Sequence, residues 1–210
     1  MKICAKFSLL VIMLLFVALS ARADQFSYSG NFTSDDQVLT FAINVTAPGT
    51  VTLRTYSYAG GVDLAGTTVP AGGFDPVLTL FDATGNFLVT NDDGTCGEVG
   101  TDPTTANCFD AYVSTQLAAG LYTVALTEAD NLPWGNLSDG FMQTGNGDFT
   151  CPEFLGQAGA FCDASPSQRD SSYELDIDTP DVLSSPVPEP APFLLLITGC
   201  GLVFCLRLRS

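Results

Sequence analysis

Carboxylate and amide side chains cluster where apolar stretches of the chain begin or end. Asp75 opens one such stretch, and Asn91-Asp92-Asp93 closes the next. Calcium takes roughly six to eight oxygen ligands, so Asp75, Asp92, Asp93 and Asp110 would need backbone carbonyls and water beside them. The sequence therefore predicts a calcium site from these four aspartates. The alternative is that Asn-Asp-Asp-Gly is turn chemistry alone, with the aspartates bonding their own backbone.

Other catalytic chemistry is limited by what the sequence lacks. The chain has no histidine, which excludes histidine-based triads and the two-histidine facial triad. It also has no G-x-S-x-G motif and no glycine-rich phosphate loop. A pair of carboxylates would suffice for glycoside hydrolysis, but among 23 acidic residues such a pair arises by chance. We expect a protein that is not an enzyme.

Four cysteines fall in the central part of the chain, at Cys96, Cys108, Cys151 and Cys162. An even number suits an oxidising compartment and allows three pairings. Their spacing favours two local disulfides, Cys96 with Cys108 and Cys151 with Cys162. The alternative, a zinc site, lacks both histidine and a C-x2-C pair.

The elements that must position these residues are β-strands. In residues 37–46, Leu39, Phe41, Ile43 and Val45 alternate with polar side chains, and similar alternation recurs between turn residues. No helical period interrupts it. We predict an all-β fold, an antiparallel β-sandwich of jelly-roll type, with about eight strands. These strands lie within residues 25–33, 37–46, 50–58, 76–82, 86–92, 110–117, 120–129 and 173–178.

A long insertion, residues 131–172, interrupts the strand pattern and carries Trp134 with four phenylalanines. Loops of this length are uncommon in compact domains, and this one is too aromatic for disorder. We expect it to fold back over one edge or face of a sheet. We expect Trp134 to cover a hydrophobic edge; the alternative is an exposed ring on which a sugar stacks.

The first residues are typical of a secretory signal peptide, residues 1–23. Lys2 and Lys6 precede an apolar run from Leu9 to Leu19, and small residues precede a cleavage site between Ala23 and Asp24. All 23 acidic residues lie between Asp24 and Glu189, with Arg54 and Arg169 as the basic residues there, so that part carries a net charge of −21. Such a surface excludes nucleic-acid binding and favours metal cations.

The C-terminal residues form a proline-rich linker, residues 179–192, and an apolar segment, residues 193–206, too short for an ordinary membrane span. Val187-Pro188-Glu189-Pro190, the apolar run, and Arg207 with Arg209 resemble the PEP-CTERM sorting signal of Gram-negative bacteria, here residues 187–210. The resemblance implies an exosortase-type membrane transpeptidase as partner and a transient membrane tether. It implies export through the inner membrane to the envelope, outer surface or extracellular matrix, together with a link to exopolysaccharide and biofilm.

The central domain, residues 24–178, resembles a bacterial pre-peptidase C-terminal domain. The resemblance implies a jelly-roll sandwich and calcium near its loops. We therefore expect an exported, non-catalytic binding or structural module associated with exopolysaccharide. The alternatives are a calcium-stabilised accessory to a separate secreted hydrolase and a carboxylate-based glycosidase. The stretches that carry the resemblance are Asp75 to Asp82, Gly85 to Leu88, Asn91 to Asp93 and Leu117 to Val124.

Overall fold

The computed structural model describes residues 23–180, in which two four-stranded antiparallel sheets form a sandwich. The first sheet has the order β1-β12-β3-β8 and the second the order β2-β9-β6-β7. Two small hairpins, β4–β5 and β10–β11, lie outside them. The strands are β1 (Ala23–Asn31), β2 (Leu39–Val45), β3 (Gly49–Thr55), β4 (Gly61–Val62), β5 (Thr68–Val69), β6 (Pro76–Asp82), β7 (Phe87–Asn91), β8 (Tyr112–Leu117), β9 (Gly120–Glu128), β10 (Cys162–Asp163), β11 (Ser167–Gln168) and β12 (Ser172–Pro180).

The connectivity of the sandwich is that of a jelly roll. When its eight strands are counted in chain order, the two sheets read 1-8-3-6 and 2-7-4-5. All successive strands except the fourth and fifth therefore cross between the sheets, as in the two Greek keys of a jelly roll. Each of the eight predicted stretches overlaps one of these strands. The predicted fold class is therefore confirmed for the described residues.

The core lies between the two sheets and follows the alternation of the sequence. Leu53 and Ile177 lie opposite each other on β3 and β12, and both are fully buried in the main hydrophobic cluster with Val124 and Leu126 of β9. Burial of apolar area is the main favourable term in folding, at roughly 25 cal/mol per Å². This shared interior holds the sheets face to face.

Neighbouring strands in the sequence do not all pair with each other. Strands β6 and β7 do pair as a hairpin, across a turn in which Gly85 has φ 82°, a conformation that favours glycine. By contrast, β2 and β3 belong to different sheets, as do β8 and β9. The chain therefore crosses from one sheet to the other at Pro48-Gly49 and again at Ala119-Gly120.

The long insertion covers the outer face of the second sheet, as the sequence predicts. Phe141 packs on Phe81 and Ala125 in a second hydrophobic cluster, with the Phe81 and Phe141 ring centroids 6.4 Å apart. This contact buries the second face of β6, which explains why that strand is apolar almost throughout. Within the insertion lie a 3-10 turn (Leu137–Asp139) and one short helix, α1 (Thr150–Leu155).

Both predicted disulfides are present. Cys96 is bonded to Cys108 and Cys151 to Cys162. The first closes a surface loop, whereas both sulfurs of the second are fully buried. The zinc alternative for these four cysteines is therefore wrong.

The predictions for the two ends of the chain lie outside the described residues. These are the signal peptide before Ala23, most of the linker, the apolar segment 193–206, and the sorting residues Val187 to Pro190 with Arg207 and Arg209. Ala23 and Asp24, which flank the predicted cleavage site, begin β1. No helix within residues 23–180 combines the length and apolarity needed to cross a membrane.

Candidate metal centre

Three of the four predicted calcium ligands come together at one end of the second sheet. One carboxylate oxygen from each of Asp75, Asp92 and Asp93 lies within 4.8 Å of the others. Asp75 immediately precedes β6, and Asp92 and Asp93 immediately follow β7. Because these strands are antiparallel neighbours, the start of β6 and the end of β7 lie side by side.

The loop that carries Asp92 and Asp93 is held by its neighbours. The Asn91 side chain donates to the carbonyl of Asp93 at 3.1 Å and accepts from the amide of Tyr112 at 2.8 Å. The Gly94 amide donates to the carbonyl of Asp110 at 2.8 Å. A Cβ at Gly94 would lie 2.7 Å from Val99 Cγ1, so glycine is needed for this close approach. The turn chemistry thus positions the two carboxylates.

The three carboxylates experience different solvent exposure. Asp75 is 6% exposed, and its Oδ1 has no hydrogen-bond partner within residues 23–180; Asp92 and Asp93 lie at the exposed mouth. Burial, followed by the charges of Asp92 and Asp93, raises the pKa of Asp75 well above its usual value. Desolvation and the Asp93 charge raise the pKa of Asp92 to about 6. In the absence of a cation, the ionised forms of these carboxylates are therefore unfavourable in the folded state.

Glu128 is a further acidic residue at this end of the sheet, and the sequence reasoning missed it. It lies on β9 opposite Pro76, it is 0% exposed, and neither carboxylate oxygen has a hydrogen-bond partner among the described residues. Burial, followed by the Asp75 charge, raises its pKa well above the usual value. Its position in the alternation was a usable signal, because Glu128 is in phase with the core-facing Val124 and Leu126.

Asp110, the fourth predicted ligand, is not in the group. Its Oδ1 accepts from Thr55 Oγ1 at 2.9 Å and from the Tyr58 amide at 3.0 Å, and its Oδ2 accepts from the Ala59 amide at 2.8 Å. These bonds fix the chain that leaves β3. Asp110 acts on the cluster through its charge, which contributes to the raised pKa of Asp75 and of Asp93.

The residues of the cluster fit a hard divalent cation. The group supplies oxygen ligands alone, it is partly open to solvent, and a buried carboxylate oxygen of Asp75 lacks a partner. Calcium accepts irregular oxygen shells that include water, whereas magnesium demands near-ideal octahedral geometry. Asp75, Asp92 and Asp93 would hold the ion, and Glu128 would add negative charge behind them.

Trp134 does not behave as the sequence predicted. Its side chain is 65% exposed, so the expectation that it covers a hydrophobic edge is wrong. The backbone around it is fixed, since the Trp134 amide donates to the Gly140 carbonyl at 3.0 Å and Pro133 forms a β-bridge with Phe141. The exposed indole therefore belongs to a turn closed by these two contacts. Phe141, at the far end of the turn, packs in the second hydrophobic cluster.

Comparisons with known proteins show no family for this chain. No protein-family model matches the chain, and no curated protein matches it. Among solved structures, it is similar to the pre-peptidase C-terminal domain of a collagenase from Bacillus anthracis, at 11% sequence identity and a TM-score of 0.36. That alignment covers 73% of this chain and 88% of the other.

Proposed function

We propose that this protein is an exported, non-catalytic β-sandwich that binds calcium and works as a polysaccharide-binding module of the cell surface or matrix. The observation that carries the proposal is the convergence of Asp75, Asp92 and Asp93 around a buried carboxylate oxygen that has no described partner. A bound cation would compensate for this charge, which otherwise opposes folding.

Calcium would act on stability. Asp92 and Asp93 follow the end of β7, and Asp75 precedes the start of β6. An ion bound by all three would therefore hold the edge strand β7 against β6. A ligand that binds the folded state alone stabilises it by mass action, by about 2.7 kcal/mol at one hundred times its dissociation constant. We therefore expect the ion to have a structural role.

The calcium proposal is tested by thermal unfolding of the purified protein in millimolar calcium and in chelator. The melting temperature should be several degrees higher with calcium, and the double variant D92N/D93N should lose this difference. Glu153→Gln is the matched control, because Glu153 is an exposed carboxylate on α1 outside the cluster. Equal melting temperatures in calcium and chelator would contradict the proposal.

The polysaccharide part of the proposal is supported by the exposed Trp134. An aromatic face that projects from a closed turn is suited to stacking on a sugar ring at small entropic cost. Trp134 is the sole tryptophan of the chain, so its fluorescence reports on this position. Exopolysaccharide from the producing cells should protect it from an aqueous quencher and should bind W134A more weakly. Unchanged quenching at saturating polysaccharide would argue against this contact.

We base the proposal that the protein is delivered to the cell surface on its C-terminal residues 187–210. We assign Pro188-Glu189-Pro190 as the motif read by an exosortase-type transpeptidase, with the apolar segment 193–206 as a temporary tether and Arg207 and Arg209 on the cytoplasmic side. The intact mass of protein from culture fluid should lack the residues beyond the motif. If the protein is recovered only from membranes and still carries residues 193–210, the tail is instead a permanent membrane anchor.

A further inference from the structure

A polar cleft of about 500 Å³ lies between the small hairpin β4–β5 and strands β1 and β12. It is on the outer face of the first sheet, because Glu174 lines it while its neighbour Leu175 faces the core. Its volume falls within the roughly 300–1,000 Å³ of small-molecule sites. Six serine and threonine side chains line it: Ser27, Ser29, Ser57, Thr67, Thr68 and Ser172.

The hairpin is fixed over the sheet by two carboxylates. Asp63 Oδ1 accepts from the Thr67 amide at 2.6 Å, which closes the hairpin turn. Asp176 Oδ2 accepts from the Leu64 amide at 2.8 Å, while its Oδ1 accepts from Ser27 Oγ at 2.5 Å. The cleft is therefore preformed, with one wall bonded to the other.

Glu174 is the group in the cleft that still needs a ligand. It is 5% exposed, and its Oε1 has no hydrogen-bond partner in the described part of the chain. Burial and the charges of Asp63 and Asp176 raise its pKa to about 7. A buried carboxylate with an unused oxygen is costly unless a donor reaches it.

No cationic residue of the chain lines the cleft in the described structure. Between residues 23 and 180 the basic side chains are Arg54 and Arg169. The Arg54 guanidinium lies over the Tyr56 ring, 4.6 Å from its centroid, and Arg169 is paired with Asp102. Within residues 23–180, therefore, no basic side chain compensates the charge of Glu174, and a cationic ligand would do so.

We infer that this cleft binds an amino sugar, a protonated amine carried on a hydroxylated ring. The ammonium group would donate to Glu174 Oε1 near Asp63, which also lines the cleft, and the ring hydroxyls would exchange hydrogen bonds with the serines and threonines of the walls. A neutral sugar would bond to the hydroxyl groups of the cleft but leave the negative charge of the carboxylates uncompensated. A simple amine would compensate that charge but leave the hydroxyl groups without partners. The inference narrows the proposed polysaccharide to a class, and it does not depend on the calcium site.

The test is isothermal titration of the purified protein at pH 7.5 with a glucosamine trisaccharide, the N-acetylglucosamine trisaccharide and ethanolamine. We expect the glucosamine trisaccharide to bind at least about tenfold more tightly than either of the others, because only it offers both the charge and the hydroxyls. Equal affinity for the acetylated sugar or for ethanolamine, or no binding of any probe, would overturn the inference.

Two variants locate the binding. Glu174→Gln keeps the shape and removes the charge, and it should weaken the glucosamine trisaccharide at least about tenfold. Thr68→Trp places a bulky ring on the exposed rim and should block the cleft while leaving all carboxylates in place. Glu153→Gln should bind as the parent does. Unchanged binding by both cleft variants would overturn the inference, and because none of these readouts measures calcium or Trp134, the result is separable from the proposed function.

Discussion

The guanidinium of Arg169 lies 3.2 Å from the carboxylate of Asp102, measured from Nη2 to Oδ2, and both side chains are buried. The same guanidinium lies 3.8 Å from the centroid of the Tyr58 ring and donates to the carbonyls of Gly73 and Tyr58. Asp102 belongs to the loop closed by Cys96 and Cys108, whereas Arg169 lies near the end of the long insertion, residues 131–172. This disulfide-closed loop and the insertion are therefore joined through one buried cation.

Replacing Arg169 should destabilise the fold strongly. Arg169→Met leaves the Asp102 carboxylate buried without its cation, and breaking a buried pair in this way costs about 3–5 kcal/mol. Urea unfolding of the two proteins measures the difference. Arg54→Met is the matched control and should cost about 1 kcal/mol or less, because Arg54 mainly lies over the Tyr56 ring. A loss at Arg169 no larger than at Arg54 would show that the ion pair is not important for stability.

The effect of Asp75→Asn should change sign with calcium. In chelator the variant removes a buried, uncompensated charge and should raise the melting temperature. In saturating calcium it removes a ligand and should lower it relative to the parent. A change of 1 kcal/mol corresponds to roughly 2–4 °C in a domain of this size, which differential scanning calorimetry resolves. The same sign in both buffers would contradict the assignment of Asp75 as a ligand.

Without calcium, the free energy of unfolding should fall as pH rises from about 5 to 8. Folding raises the pKa of Asp92 to about 6 and of Glu174 to about 7, so in this window the folded state holds protons that the unfolded chain has released. Stability therefore decreases with pH. Unfolding in urea at several pH values, in chelator, measures the slope.

A matched variant separates the two sources of this slope. Glu174→Gln should flatten the part above about pH 6, while calcium should remove the part that comes from Asp92 and its neighbours. Stability that rises with pH across the window would contradict the raised pKa values. Below about pH 4 the trend should reverse, because hydrogen bonds from Asn86 and Thr84 lower the pKa of Asp82 to about 2.

The two disulfides should be reduced in a fixed order. Cys96 is exposed, whereas Cys151 and Cys162 are fully buried, so a mild thiol should open Cys96–Cys108 first. Peptide mapping after timed reduction and alkylation measures the order. The variant C151S/C162S should lose about 3 kcal/mol of stability through loop entropy. Faster reduction of the buried bond would contradict this prediction.

Part of the candidate site was predictable because its signals are local. Asp75 and Asn91-Asp92-Asp93 flank two stretches joined by a short turn, and antiparallel pairing across that turn must place their outer ends side by side. Asp110 fails the same test, because it precedes β8 in the other sheet. The alternation of β9 places Glu128 at a core-facing position, so its burial could have been predicted from the sequence. Its position beside Asp75 could not, because Pro76 and Glu128 pair across 52 residues of sequence.

By itself, the sequence determined the eight sandwich strands, the pairing of its central cysteines and the acidic charge of the domain. These depend on a two-residue alternation, on short loops and on composition, which are properties of neighbouring residues. The tertiary structure decided which strands share a sheet, that Trp134 is exposed, and that Glu174 faces a cleft with an unused oxygen. Those features depend on how segments distant in the chain pack together, as in the Leu64–Asp176 bond between residues 112 positions apart, and no local pattern encodes them.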